Sequence, residues 1–99
     1  MSYAGVDPIL NQWAADHRLT VMTSYKDYEV RSIDLVDAQG VRFQLWLDPP
    51  GETGRIGVHV WDYRKRRADY GANLEDLAKC LDEALQAASE WAGAELARR

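Results

Sequence analysis

Val41-Arg42-Phe43-Gln44-Leu45-Trp46-Leu47-Asp48 and, after a turn, Ile56-Gly57-Val58-His59-Val60-Trp61-Asp62-Tyr63 decide the fold of this chain. Both runs alternate. Val41, Phe43, Leu45 and Leu47 fall on one face of the first run, and Ile56, Val58 and Val60 on one face of the second. That is the period of a half-buried strand. The opposite face carries Arg42, Gln44, Trp46, His59, Trp61 and Tyr63, where a sheet that simply met water would show short polar residues. These six residues form the candidate binding surface, because large aromatics beside an arginine bury much area with little side-chain entropy to lose.

Working outward, Pro49-Pro50-Gly51-Glu52-Thr53-Gly54-Arg55 forbids a strand and forms the loop of a hairpin. Closed so that paired residue numbers sum to 105, this hairpin sets Trp46 opposite His59, Gln44 opposite Trp61 and Arg42 opposite Tyr63. Upstream, Asp37-Ala38-Gln39-Gly40 is the first turn, closed by a three-residue loop that ends on Gly40 in the left-handed conformation. That turn pairs Leu35 with Phe43 and Ile33 with Leu45, while a one-residue slip would bring Asp34 and Ser32 to the core face. From Leu19 to Val36 the pattern is extended and changes phase between Val30 and Ile33. The reading adopted is one bent strand with a frayed start; a turn at Lys26-Asp27, adding a fourth strand, is the alternative.

Two helices flank the strands. Asp7-Pro8 predicts a start at which the Asp7 carboxylate caps free amides, with a short helix from Pro8 to His17. Trp13 belongs to its apolar stripe, and His17 is expected to bond the last carbonyls. Asn73, followed by Glu75 and Asp76, predicts the cap of a long helix from Leu74 to Leu96. Its buried stripe reads Leu74, Leu77, Ala78, Leu81, Ala84, Leu85, Ala88 and Trp91, with Cys80 at the edge as a packing thiol. The fold expected is therefore α+β, in the order α-β-β-β-α. A three-stranded antiparallel meander carries the long helix, and the short one beside it, on the face of Ile33, Leu35, Phe43, Leu45, Ile56, Val58 and Val60.

Composition narrows the function. Ninety-nine residues, 46% hydrophobic and 28% charged, describe one domain over residues 1-99, with a core too small to give much of its volume to a deep catalytic cleft. A net charge of −4 disfavours polyphosphate and anionic lipid as partners, so nucleic acid and membrane are not expected. A single cysteine, no zinc spacing, no signal-peptide pattern and no long apolar run lead to the expectation of a cytoplasmic protein without metal or cofactor. Gly51, Gly54 and Gly57 lack the lysine and following helix of a phosphate loop. His59, the strongest single candidate for acid/base chemistry, has no partner evident from the sequence and sits on an open face, so no catalytic residue is assigned.

The remaining feature is the basic run Arg64-Lys65-Arg66-Arg67, followed by Ala68 to Ala72 as a connection to Asn73. A helix, three antiparallel strands and a helix, with a basic cluster near the second helix, resemble the double-stranded RNA-binding domain. The resemblance implies the alternative function, a weak double-stranded RNA-binding module in which Arg64, Lys65, Arg66 and Arg67 grip phosphates. This sequence departs from that pattern in the spacing before Asn73 and in the acidic first turn that follows. The function expected from the residues is a noncatalytic protein-interaction module of bacterial type, chaperone-, inhibitor- or immunity-like. Its partner is another protein or a second copy of itself, through the aromatic face, a sheet edge or the end of the long helix.

Overall fold

The computed structural model describes residues 3–36 and 40–97, with side chains through Gly93. Helix α1 spans Asp7–Asp16, and strands β1 to β5 span Met22–Tyr25, Tyr28–Val36, Arg42–Leu47, Ile56–Trp61 and Arg67–Ala72. A 3-10 turn at Leu74–Asp76 leads into helix α2, Leu77–Ala97. The five strands form one antiparallel sheet in chain order, so each strand joins its neighbour by a hairpin. The class is α+β, as the alternating runs predict, but the sheet has five strands where the sequence reading has three.

Both extra strands have a physical reason. At Lys26-Asp27 the chain turns sharply, with Lys26 at a φ of 56°, and β1 folds back onto β2 instead of running straight into it. Met22 pairs with Ser32 and Ser24 with Glu29, so a two-residue step on β1 opposes three residues on β2. That bulge, at Val30 and Arg31, is the phase change seen in the sequence, and it makes Arg31, Ser32 and Ile33 successive buried residues. The segment taken as a connection, Ala68 to Ala72, lies within β5, paired along β4 from Trp61 opposite Arg67 to Ile56 opposite Ala72. Alanine, aspartate and glycine have weak strand propensity, which hides an alternation of Ala68, Tyr70 and Ala72 toward the core side. Small residues suit these positions, because α2 lies across β4 and β5.

The registers predicted for the central strands hold. Leu35 faces Phe43, Ile33 faces Leu45, Trp46 faces His59 and Gln44 faces Trp61. Gly40 adopts a φ of 81°, the left-handed conformation expected of it, while Asp37, Ala38 and Gln39 lie outside the described residues. All seven core-face residues named above are buried, in one cluster with Leu10, Trp13 and Ala14 of α1 and Leu77, Leu81, Ala84 and Ala88 of α2. Both helices therefore cover the same side of the sheet.

Local details differ from the sequence reading at the helix ends. Asp7 does not cap α1; it is the first helical residue, and its carboxylate accepts from Arg31 Nε at 2.6 Å and Nη2 at 3.1 Å. Arg31, 8% exposed, also binds Glu29 and the Val30 carbonyl and lies over the Tyr3 ring, so burial is matched by a full set of acceptors. The end of α1 is instead closed by backbone, with Leu19 N–H on the Ala14 carbonyl and Arg18, at a φ of 58°, on that of Ala15. The His17 ring turns away from those carbonyls, onto Trp13 and toward Asp82, which also accepts from the Trp13 indole at 2.9 Å. Asn73 does cap, accepting from Asp76 N–H, yet Leu74 and Ala78 are exposed and not part of the buried stripe.

Candidate binding face of the sheet

With both helices on one side, the other side of the sheet is crossed by no described helix. Strand alternation puts Arg42, Gln44 and Trp46 there from β3, and His59 and Trp61 from β4. Tyr63, just beyond β4, has a φ of 65°, an uncommon conformation for a bulky side chain, and its ring stays 5.1 Å from Trp61. Trp46 stacks on His59 at 5.0 Å and meets Trp61 edge-on at 6.5 Å. The Trp61 indole donates to Gln44 Oε1, and the Arg42 guanidinium lies 5.7 Å from the Tyr63 ring centre. All six residues of the predicted surface are thus brought together.

Three residues that the sequence reading did not place on this face, Asp48, Asp69 and Arg67, complete it. His59 Nδ1 is 2.6 Å from Asp69 Oδ1 on β5, and Nε2 is 2.7 Å from Asp48 Oδ2 at the end of β3. No partner for His59 is evident from the sequence; the structure gives it two. A neutral imidazole has one N–H, so donation to both carboxylates requires the imidazolium. Burial disfavours that charge, but the bonds to Asp48 and Asp69 outweigh it and raise the pKa above the ordinary value of 6.5. Asp69 in turn is held low, first by His59 and then by Arg67, whose guanidinium donates to Asp69 and lies 5.3 Å from the Trp46 ring centre.

Gly57 makes this arrangement accessible. Asp48 N–H bonds the Gly57 carbonyl, and a Cβ on Gly57 would lie 2.5 Å from Asp48 Oδ2 and 3.0 Å from His59 Nε2. A glycine inside a strand is the sequence signal for such a close approach. On the next strand Asp69 stands opposite His59, a pairing invisible until β5 is recognised as a strand. Asp48 and Asp69 sit on opposite nitrogens and cannot converge on one ion through His59. Among the described residues no group of His, Cys, Asp or Glu is arranged to hold a metal.

Beside the aromatic cluster lies a groove of about 620 Å³. Ser32 is its floor: a short side chain on β2, paired with Trp46 of β3 on one side and Met22 of β1 on the other. Tyr25 and Tyr63 add walls, and Asp34 and Asp48 bring carboxylates. The Tyr63 hydroxyl donates to Asp34 at 2.6 Å; burial, then that carboxylate, push the phenol pKa up to about 12.

The basic run has a different setting from the one its spacing implies. It occupies the β4–β5 connection and the first residue of β5, separated from α2 by the whole of β5. Asp62 holds that turn by accepting from the Arg64 and Arg66 amides. The Arg66 guanidinium turns toward α2 and donates to the Trp91 carbonyl, whereas Arg67 turns to Asp69 and Trp46. Two of the four cations therefore point to different sides of the sheet, and the strand count departs from the order that carries the resemblance to the double-stranded RNA-binding domain. No family model, no curated protein and no solved structure matches this chain. No helix among the described residues is long and apolar enough to cross a membrane.

Proposed function

We propose that this chain is a noncatalytic protein-interaction module, chaperone-, inhibitor- or immunity-like, that works in the cytoplasm and binds a partner protein through the helix-free face of its sheet. The observation that carries the reading is where the large apolar side chains remain exposed. Of the six among the described residues that do, Met22, Tyr25 and Tyr63 line the groove, and Tyr28 and Val36 lie at the two ends of β2, the strand that supplies its floor. A core exposes no side chains, and a solvated face has no use for a continuous aromatic one. Trp46, Trp61 and Arg42 supply the residue types that dominate binding energy at interfaces, held in place by His59 and Gln44.

The test is substitution at the face. Each aromatic cross-strand pair contributes about 0.2 to 1 kcal/mol, so Trp46→Ala and Trp61→Ala leave the domain folded. The wild-type domain, used as bait in extract of its own cell, is expected to retain a defined protein that both variants release. Sedimentation of the purified domain separates this outcome from self-association through the same face. If both variants unfold, or if folded variants hold the partner as tightly as wild type, these residues are structural and the reading is wrong.

A further inference from the structure

Resting on that reading, we infer that the segment of the partner seated in the groove is an extended peptide carrying lysine or arginine side chains. Three observations lead there. The first is charge. The groove's lining includes two carboxylates, Asp34 and Asp48, and one cation, Arg31, which is already matched by Asp7 and Glu29; Asp48 shares the single His59 charge with Asp69, and Asp34 accepts from the neutral Tyr63 hydroxyl. The Asp34 bond to Tyr63 uses Oδ1 and the Asp48 bond to His59 uses Oδ2, leaving the second oxygen of each outside those two contacts. Both side chains are exposed. The chain as a whole is also acidic, at −4.

The second observation is ring chemistry. Trp46, Tyr25 and Tyr63 wall the groove, and an aromatic face attracts a guanidinium or ammonium while packing against its methylene stem. Cations of this chain already stand at these rings, Lys26 at Tyr25, Arg42 at Tyr63 and Arg67 at Trp46, so a ligand's methylene stem packs along the ring edges and its charge is directed to Asp34 and Asp48. The third is spacing. In the β2–β3 register Asp34 stands opposite Gln44, and Asp48 lies four residues further along that strand direction, about 13 Å at about 3.3 Å per residue. Two cations four residues apart on an extended peptide span the same length, with Ser32 leaving room for the backbone between Trp46 and Met22.

The probes are three capped, otherwise alanine-based hexapeptides: one with arginine at the first and fifth positions, one with the neutral isostere citrulline there, and one with glutamate. Each is titrated into the full-length, isotope-labelled protein, following the Trp46 indole and the amides of Ser32, Asp34 and Asp48. The arginine peptide is expected to shift these signals saturably and about tenfold more tightly than the citrulline peptide, since two exposed cation contacts each add modestly. Added salt should narrow that ratio, Asp34→Asn should reduce it, and the glutamate peptide should bind most weakly. Equal binding of arginine and citrulline peptides, tighter binding of the glutamate peptide, absence of saturation, or shifts confined to another surface overturns the inference.

The two readings fail separately. A natural partner that is lost with Trp46→Ala and Trp61→Ala, while the peptides show no preference for charge, leaves the interaction face standing and removes the basic ligand. Peptide selectivity with a partner indifferent to both tryptophans does the reverse.

Discussion

Gly57→Ala separates the His59 network from the stability of the sheet. The added Cβ would stand 2.5 Å from Asp48 Oδ2 and 3.0 Å from His59 Nε2, well inside van der Waals contact. Asp48 is the far end of an exposed side chain and yields first, and a displacement of about 1 Å takes it out of hydrogen-bond range. The charge-assisted bond so lost contributes about 0.5 to 1 kcal/mol, because the carboxylate is 57% exposed to screening water. Alanine in place of a strand glycine recovers a similar amount, about 0.5 to 1 kcal/mol, by restricting the unfolded chain. Urea unfolding near pH 6 should therefore find the variant within about 1 kcal/mol of wild type, while proton NMR finds the His59 pKa lowered. The sign of the pH dependence follows. A histidine whose folded pKa is raised contributes stability that is fully present below its unfolded value of 6.5 and is lost as pH rises through the folded pKa. Wild type should lose stability across that window, and Gly57→Ala should lose less. An unchanged imidazole pKa in a folded variant would show that Asp48 does not hold the proton, and the argument fails.

Two further expectations concern the ends of the groove. Arg31→Ala leaves Asp7 and Glu29 facing a buried void; with Asp7 34% and Glu29 65% exposed, the loss discounts from the fully buried case to about 2 to 3 kcal/mol. Calorimetry should show a Tm lower by about 10 to 20 °C. Wild type should also weaken in acid, because Arg31 holds the Asp7 pKa below 3.8, so this stabilisation is present above 3.8 and lost as pH falls through the depressed value; a Tm unchanged by Arg31→Ala refutes both. Alkaline absorbance titration should find one tyrosine ionising near pH 12 that disappears in Tyr63→Phe and moves down in Asp34→Asn. A Tyr63 that titrates near 10 in the wild-type protein would place its hydroxyl in water, away from Asp34.

How much of the site was legible depends on the range of the signal. Arg42, Gln44, Trp46, His59, Trp61 and Tyr63 could be assigned to one face because side-chain direction in a strand follows from parity alone, and the hairpin register from the turn and the hydrophobic pattern. Asp48 was within reach, since it continues the parity of Arg42, Gln44 and Trp46 and faces Gly57. Asp69 was not, because Arg67–Ala72 is built from residues with weak strand preference, and only the free edge of β4 makes it a strand. Met22, Tyr25 and the groove depended on the turn at Lys26-Asp27, which the sequence offers only as the alternative to a single bent strand, because the left-handed backbone falls on a lysine and not on a glycine.

The amino-acid sequence by itself determined the class, the core face, the register of the three central strands and the cap at Asn73, since each rests on periodicity or on contacts a few residues apart. Tertiary structure decided the edge strands, the pairing of Asp7 with Arg31 and the two carboxylates on His59. The side-chain pairs join residues 10 to 24 positions apart, and the edge strands are built from residues whose local preferences are weak. What selects among such partners is the burial, and the hydrogen bonding of what is buried, that only the assembled chain supplies.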